Sequence, residues 1–361
     1  MSLKIKISLI YLVSTIQLGF SQYKFNLPQN TDYNSGYAVV NNNQYVRIFN
    51  NLNKRESFIE FYDLETGKLN NQLTFKALGL VESFYLESNK TIWLFDENKG
   101  ALIKTVNGVK RKEIDVFGNI PVPKSGYYPY AADMKWSPLH FYNNSFYFIN
   151  SFDRTSKIPI RRFLDKEFIQ SVDISTNRVK SNASIPWLFF DRDYGIMNKF
   201  SSLRKDNILI IAPNFSNEIM LYNLENGNLV SPILDENNTN YYAAKPLLTK
   251  KDFDISNISE QEWFNKMQQH YSANNEYINI IYDPFKKQYY RTLVVKDYKL
   301  KKEIILKIIV LNDKFNFVKE HNLGLDYKPD GMFVTKKGLN VLNYRKYKEN
   351  SDYLYFDTFN L

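Results

Sequence analysis

The amino-acid sequence predicts an all-β fold, a β-propeller of about six four-stranded blades, with seven blades as the alternative. Three observations favour this fold. Nearly the same octet occurs twice, as YDLETGKL at residues 62–69 and as YNLENGNL at residues 222–229. Short apolar, strand-like runs alternate with turn signals along the chain, as repeated propeller units do. The last unit lacks one strand, and an unassigned strand-like run stands near the N-terminus.

The octet predicts a strand, a tight turn and a second strand. Asp63 or Asn223 follows the aromatic end of a hydrophobic run, and Gly67 or Gly227 comes four residues later. A short polar side chain can accept hydrogen bonds from the amides of its own turn, and glycine adopts the positive φ that closes it. Weaker copies are VDISTNRV at 172–179, VLNDKFNF at 310–317 and the C-terminal YFDTFNL at 355–361.

Two further patterns concern the placing of the strands. Runs such as ILIIA at 208–212 and IILKIIVL at 304–311 are apolar at nearly every position, which predicts strands buried on both faces. The sixth unit has only three runs, and residues 23–27 form a free alternating run. We therefore expect the N-terminal strand to complete the last blade, which leaves few exposed sheet edges.

One segment breaks the strand pattern. ISEQEWFNKMQQHY at 258–271 has Ser259 and Glu262 at capping-box spacing and apolar residues four apart, so it predicts a short helix inserted at about residues 256–272. The helix could be a lid or a partner-binding element. Packing on the rim of the ring is the interpretation that we favour.

The N-terminal 21 residues have the pattern of a secretory signal peptide. Lys4 and Lys6 precede an apolar run at 7–18, and Gly19 and Ser21 provide a small-x-small cleavage site. An uncleaved membrane anchor is the alternative, although the run is short for a span. We expect residues 22–361 to form one exported propeller domain, periplasmic or extracellular.

The composition excludes several other classes of protein and of chemistry. The chain has 361 residues, 27 Tyr and 27 Phe, enough for a large core. It contains no cysteine, which excludes disulfides, thiolate chemistry and a lipid anchor on cysteine. The formal net charge of the chain is +9. Because the lysines are scattered among acidic residues and do not form one basic stretch, we expect no nucleic-acid partner.

A family resemblance rests on YINIIYDPFKKQYYRTLVV at 277–295 and on GMFVTKKGLNVLNYR and DYLYFDTF near the C-terminus. These stretches resemble an uncharacterised family of exported bacterial proteins, known only as a domain of unknown function. The resemblance covers most of the chain after residue 21 and implies a β-propeller-like fold, with no established activity or catalytic residues. Lipid anchoring is common in that family, and this chain departs from it because it has no cysteine.

Catalytic and cofactor motifs are missing from the sequence. No two of the 13 glycines are closer than seven positions, which excludes G-x-G-x-x-G, the Walker A loop and the G-x-S-x-G elbow. His140, His270 and His321 belong to no metal motif. DRDYG at 191–195 and DENNTN at 235–240 could hold calcium, but turn chemistry explains them more simply. We therefore predict no cofactor and no metal.

Candidate ligand-binding residues come from loops that could lie over the channel of the ring. KSGYYPYAADMKW at 124–136 and PWLFFDRDYG at 186–195 are rich in aromatic residues. Asp283 and Arg291 of the fifth unit could pair across a hairpin, more often a structural than a catalytic role. Aromatic packing between blades is the simpler alternative. The candidates are Tyr127, Tyr128, Trp136, Trp187, Arg192, Asp193, Asp283 and Arg291.

These features predict a binding module that recognises a protein, peptide or glycan through one face of the ring. The alternative is a propeller glycoside hydrolase or lyase that uses carboxylates such as Asp191, Asp193 or Asp283. A structural assembly component is a third hypothesis.

Overall fold

The fold is described from a computed structural model of the chain. The structure describes residues 22–29, 31–33, 36–51, 54, 56–76, 81–96, 99–116, 129–131, 135–152, 167–184, 192–233, 243–249, 257–296 and 304–361. The expected signal peptide therefore lies outside the described residues. No helix among the described residues is both long enough and apolar enough to cross a membrane.

Strands account for most of the described residues. In chain order they are β1 (Gln22–Asn26), β2 (Ala38–Asn41), β3 (Gln44–Asn51), β4 (Glu56–Asp63), β5 (Leu69–Lys76), β6 (Val81–Leu86), β7 (Thr91–Asp96), β8 (Ala101–Val106), β9 (Val109–Asp115), β10 (Pro129–Ala131), β11 (His140–Tyr142), β12 (Ser145–Phe152), β13 (Glu167–Asp173), β14 (Val179–Ser184), β15 (Arg192–Asp193), β16 (Phe200–Lys205), β17 (Ile208–Pro213), β18 (Ile219–Asn223), β19 (Leu229–Ile233), β20 (Leu248–Thr249), β21 (Glu276–Asp283), β22 (Gln288–Lys296), β23 (Ile304–Leu311), β24 (Phe317–Gly324), β25 (Tyr327–Thr335), β26 (Gly338–Asn343) and β27 (Tyr353–Phe359). The two α-helices of the described residues are α1 (Glu260–Ala273) and α2 (Tyr344–Glu349), and a short 3-10 helix spans Gly195–Met197.

The strands form six antiparallel blades in a ring, as the sequence predicts. Blades 1, 2, 4 and 5 are β2–β5, β6–β9, β16–β19 and β21–β24, each in sequence order. Blade 3 is β11–β14, and the extra piece β10 pairs with β12 beside β11. Blade 6 is β25–β27 with β1 as its outer strand. The first strands of blades 4, 5, 6 and 1 contact one another in turn, so the first strand of each blade faces the axis.

The core consists of six apolar clusters, one between each pair of neighbouring blades. The predicted double-faced burial is visible in β17, where Leu209 and Ile211 belong to the cluster between blades 3 and 4. Ile210 and Ala212, on the opposite face of the same strand, belong to the cluster between blades 4 and 5. Successive side chains of a strand point to opposite faces of its blade. Because each face packs against a neighbouring blade, such a strand needs apolar residues at every position.

The repeated octets form the turns between the third and fourth strands of blades 1 and 4. Asp63 Oδ1 accepts hydrogen bonds from the amides of Glu65 and Thr66, at 3.0 and 2.7 Å, and Gly67 has φ +68°. Asn223 and Gly227 repeat this turn, with φ +75° at the glycine. The weaker copy at 172–179 is the same turn in blade 3. The copy at 310–317 forms a turn one residue shorter in blade 5, where Asn312 accepts from the amides of Lys314 and Asn316 and Phe315 has φ +65°.

The N-terminal strand closes the ring, as predicted. β1 pairs antiparallel with β27, and Phe25 lies opposite Leu354. The Phe25 side chain is fully buried, and its ring stacks on Tyr45 of blade 1 with centroids 4.8 Å apart. The backbone of Asn26 donates to the carbonyl of Gly67 at 3.1 Å, so the closing strand also binds the blade 1 turn. The C-terminal YFDTFNL is the third strand of blade 6, after which β1 supplies the fourth.

Helix α1 confirms the predicted insertion, with slightly later bounds. Ser259 is its N-cap and forms the expected capping box with Glu262. Trp263 and Met267 are buried against Leu248, which supports packing on the body of the protein.

Helix α2 and the strand piece β10 were not expected from the sequence. Strand β26 ends at Asn343, whose side chain accepts from the amide of Lys346 and caps α2. Six residues are too few to show helical periodicity, and three residues are too few to show strand alternation.

The two octet glycines give a matched test of ring closure. A methyl group at Gly67 would lie 1.7 Å from the carbonyl oxygen of Lys24 in β1, whereas at Gly227 the nearest atom is the Tyr222 hydroxyl at 3.5 Å. We expect Gly227→Ala to cost about 1–2 kcal/mol, for the positive φ alone. Gly67→Ala should cost about 2 kcal/mol more, because it also displaces β1. Urea unfolding of both variants measures the difference, and equal costs would contradict this role of β1.

Candidate functional site

A cavity of about 550 Å³ lies on the axis of the ring. This volume is within the range of ligand pockets, about 300–1,000 Å³. All six blades contribute to its lining through their innermost residues, which include Tyr37, Val39 and Asn41 of blade 1, Phe84 and Leu86 of blade 2, His140 and Phe141 of blade 3, Ser202 and Arg204 of blade 4, Asn279 and Tyr282 of blade 5, and Met332 and Val334 of blade 6.

The two ends of the cavity differ. The inner strands run in the same direction along the axis, and their last residues form one rim. Arg204 at this rim is exposed, and we call this rim the open end. The lining of the other end, which we call the closed end, includes Lys135, Trp136, Pro138 and Leu139, and we call residues 135–139 the axial segment.

The axial segment enters blade 3 and is held by the neighbouring blades. The Trp136 carbonyl accepts from the Ser202 amide of blade 4 at 2.9 Å. The hydroxyls of Ser137 and Ser202 lie 2.7 Å apart, and the Leu139 amide donates to Ser83 Oγ of blade 2 at 3.1 Å. Blades 2 and 4 therefore fix this segment at the closed end of the cavity.

An ion pair joins the axial segment to the far side of the ring. Lys135 Nζ forms a salt bridge with Asp330 Oδ1 on β25 of blade 6, the blade opposite blade 3. The side chains are only 16% and 11% exposed. Lys135 Nζ also lies 5.0 Å from the centroid of the Trp136 ring. The pair thus spans the axis in a partly desolvated place, where the attraction between opposite charges is stronger than in water.

A polar network lies beside this pair. His140 Nε2 and Ser202 Oγ are 2.8 Å apart, and both residues are buried. Burial, aided by the nearby positive charge of Arg204, lowers the pKa of His140 to about 3. In some enzymes a serine hydrogen-bonded to a histidine is the nucleophile and the histidine is its general base. A histidine with so low a pKa is only a weak base toward the serine proton. The imidazole therefore serves as a neutral hydrogen-bonding group.

Carboxylates are sparse around the cavity. Its described lining contains no Asp or Glu. Asp330 lies next to the lining, but its carboxylate is paired with Lys135. A glycosidase site needs two carboxyl groups that face one bond. Among the described residues, no group of three or more His, Asp or Glu side chains could hold a metal ion.

The sequence-based candidates fall in different places. Tyr127, Tyr128 and Trp187, with Asp191 of the hydrolase alternative, lie outside the described residues. Trp136 lines the cavity. Arg192 is exposed on β15, which pairs with β20 on the way to blade 4, and the backbone of Asp193 lies opposite Leu248 in the same pair. The described cavity lining contains neither of these two residues.

Asp283 and Arg291 do not form the pair that was considered from the sequence. The β21–β22 register places Asp283 opposite Gln288 and Arg291 opposite Ile280. Asp283 caps its own turn through the amides of Phe285 and Lys286.

The Arg291 side chain instead forms hydrogen bonds that join blade 5 to blade 4. Its Nη2 donates to the carbonyls of Pro213 and Ser216, and the guanidinium carbon lies 4.0 Å from the centroid of the Tyr277 ring. Both Arg291 and Asp283 are 1% exposed, which is typical of residues that hold a structure together.

The sequence reasoning missed an equivalent arginine in blade 1. Arg47 is fully buried, forms a 2.7 Å ion pair with Glu60, and donates to the Asp32 carbonyl at 2.6 Å. QYVR at 44–47 and QYYR at 288–291 occupy the same place in the second strands of blades 1 and 5. This short repeat could have revealed both buried arginines. For Lys135, Asp330, His140 and Ser202 no repeat or motif gave a signal.

Comparison with known proteins supports the fold. No family model and no curated protein matches the chain. The structure is similar to that of a DUF4221 family member from Bacteroides vulgatus, with a TM-score of 0.64, 16% identity, and coverage of 93% of this chain and 95% of that one. It is also similar to a provisionally assigned exported protein from Bacteroides fragilis, with a TM-score of 0.55, 10% identity, and 95% coverage of both chains. At these identities the similarity shows the fold, in accord with the resemblance to an uncharacterised family of propeller-like proteins.

The axial ion pair can be tested against an exposed pair in the same blade. Asp330→Asn leaves Lys135 without its carboxylate in a partly buried place, and we expect a loss of about 2 kcal/mol or more in the free energy of unfolding. Asp326→Asn removes the partner of Arg345, where the side chains are 44% and 61% exposed. It should cost less than about 1 kcal/mol. Equal losses in chemical denaturation would show that the axial pair contributes little.

Proposed function

We propose that this chain is an exported binding protein that holds part of a peptide or glycan in the axial cavity, through the face where the inner strands end. The observation that carries the proposal is the cavity itself, about 550 Å³ in volume and lined by all six blades. The ligand pockets of proteins are preferentially concave, mostly apolar sites with a few fixed polar groups. This cavity has that composition.

The lining is also well suited to binding because it is rigid. Val39, Leu86, Ser202 and Tyr282 lie on hydrogen-bonded strands, and the described part of the lining at the closed end is bonded to blades 2 and 4. A preformed site loses little conformational entropy on binding, which favours affinity. The aromatic rings of Tyr37, Trp136 and Tyr282 offer stacking surfaces for a sugar or for an apolar side chain.

A glycan and peptide array probed with the protein, with and without calcium, tests the proposal. We expect specific ligands whose binding falls at least about tenfold in Trp136→Ala, because that ring lines the cavity. Phe264→Ala is the control, since Phe264 is an aromatic residue on α1 that is 47% exposed and lies outside the lining. Thermal melting should show that both variants are folded. An array with no ligand, or ligands lost equally in both variants, would contradict binding in the cavity.

Export is part of the same proposal and has its own test. It is supported by the charged and apolar pattern of residues 1–21 and by the exported assignment of the B. fragilis neighbour. We expect the protein recovered from the periplasm or medium of an expressing bacterium to begin at Gln22, as intact mass spectrometry would show. Replacing both Lys4 and Lys6 by Glu should reduce processing, because the positive start of a signal peptide is lost. Full-length protein in the cytoplasm would contradict export.

A further inference from the structure

We infer that the axial cavity takes a carboxylate carried on an apolar chain, with the carboxylate bound to Arg204 and the chain in the collar of the open end. This inference rests on the proposed function only in taking the axial cavity as the binding site, and it names a chemical class for the ligand. Two sources have that chemistry, namely a free medium-chain carboxylic acid and the C-terminus of a polypeptide whose last residue is apolar.

The charges of the lining favour an anion. Arg204 and Lys135 are its two cations, and its described residues include no carboxylate. Arg204 is exposed at the rim, where its Nη1 donates to the carbonyl of Asp206 at 2.5 Å. Lys205 stands close by, with its Nζ 4.2 Å from the centroid of the Tyr282 ring. Asp330 neutralises Lys135 at the closed end. Among the described lining residues of the open end, the charged side chain is therefore the cation of Arg204.

The same rim has an apolar collar. Val39, Leu86, Leu203 and Val334 come from four different blades, and each is half-buried, with part of its surface facing the cavity. Tyr282 continues the collar in blade 5. An alkyl chain or an aliphatic side chain placed there would remove apolar surface from water on both partners, which is favourable in proportion to the area buried.

The state of the polar groups argues against a neutral sugar. Ser202 is bonded to both His140 and Ser137, and Asn279 accepts a hydrogen bond from Thr292. A sugar has a hydroxyl on nearly every carbon and needs several donors and acceptors to replace its water, since a buried polar group without a partner is costly. Ser202, His140 and Asn279 are thus already bonded to protein groups, whereas the guanidinium at the rim is exposed and can also donate to a ligand.

Decanoate and a matched peptide pair test the inference by calorimetry at low salt. We expect saturable binding of decanoate and much weaker binding of decanol and decylamine, which have the same chain with no charge or a positive one. A short peptide that ends in leucine should bind as the free acid and not as the C-terminal amide if polypeptides are the source. Arg204→Gln should weaken binding by about tenfold, the typical value of a lost charge-assisted hydrogen bond. Arg178→Gln should not, because Arg178 is exposed on the blade 3 turn.

A second pair of variants keeps the test valid if Arg204→Gln is unstable. Val334→Asp places a negative charge in the collar and should abolish decanoate binding, while Val109→Asp, at a position 54% exposed on β9, should leave it unchanged. Equal affinity for decanoate, decanol and decylamine, or no loss in Arg204→Gln and Val334→Asp, would overturn the inference. The inference and the proposed function can fail separately. If no carboxylate binds, but a neutral glycan binds and Trp136→Ala abolishes that binding, the inference fails and the proposed function stands. If nothing binds at all, both fail.

Discussion

The pairing of the first described strand with the last is the contact on which the rest of the structure depends. β1 and β27 bring together residues as far apart in sequence as Gln22 and Asp357, and Phe25 fills the space between blades 6 and 1. Bringing such distant parts of a chain together has an entropic cost that only large apolar burial can offset. Without it, blade 6 would have an open edge and the last apolar cluster would lose its central ring. The axial cavity exists because the circle is closed.

Charged residues inside the ring complete what apolar packing begins. Arg47 and Arg291 occupy equivalent strand positions, and each donates to a carbonyl outside its own blade. A buried guanidinium needs oxygen partners at defined positions, so these contacts fix how blade 1 and blade 5 meet their neighbours. The ion pair between Lys135 and Asp330 does the same across the axis. Apolar clusters hold the blades together, and these polar contacts set their relative placement.

The two ends of the channel differ in their charge and in the side chains that surround them. At one end the axial segment is bonded to blades 2 and 4 and its lysine is neutralised by Asp330. At the other end an apolar collar stands beside Arg204. The two ends of the cavity therefore differ in charge and in exposure.

The blades could be predicted from the sequence, because each blade depends on local patterns. The octets predicted turns that Asp63 and Asn223 do form, and the unbroken apolar runs predicted strands such as β17 that are buried on both faces. The missing sixth-blade strand predicted the closure by β1. The site could not be predicted in this way. Lys135 and His140 come from one part of the chain, Ser202 and Asp330 from two others, and no local pattern records that a ring brings them to one axis. The pairing considered for Asp283 and Arg291 was wrong because register, which depends on turn geometry and packing, shifts partners along a hairpin.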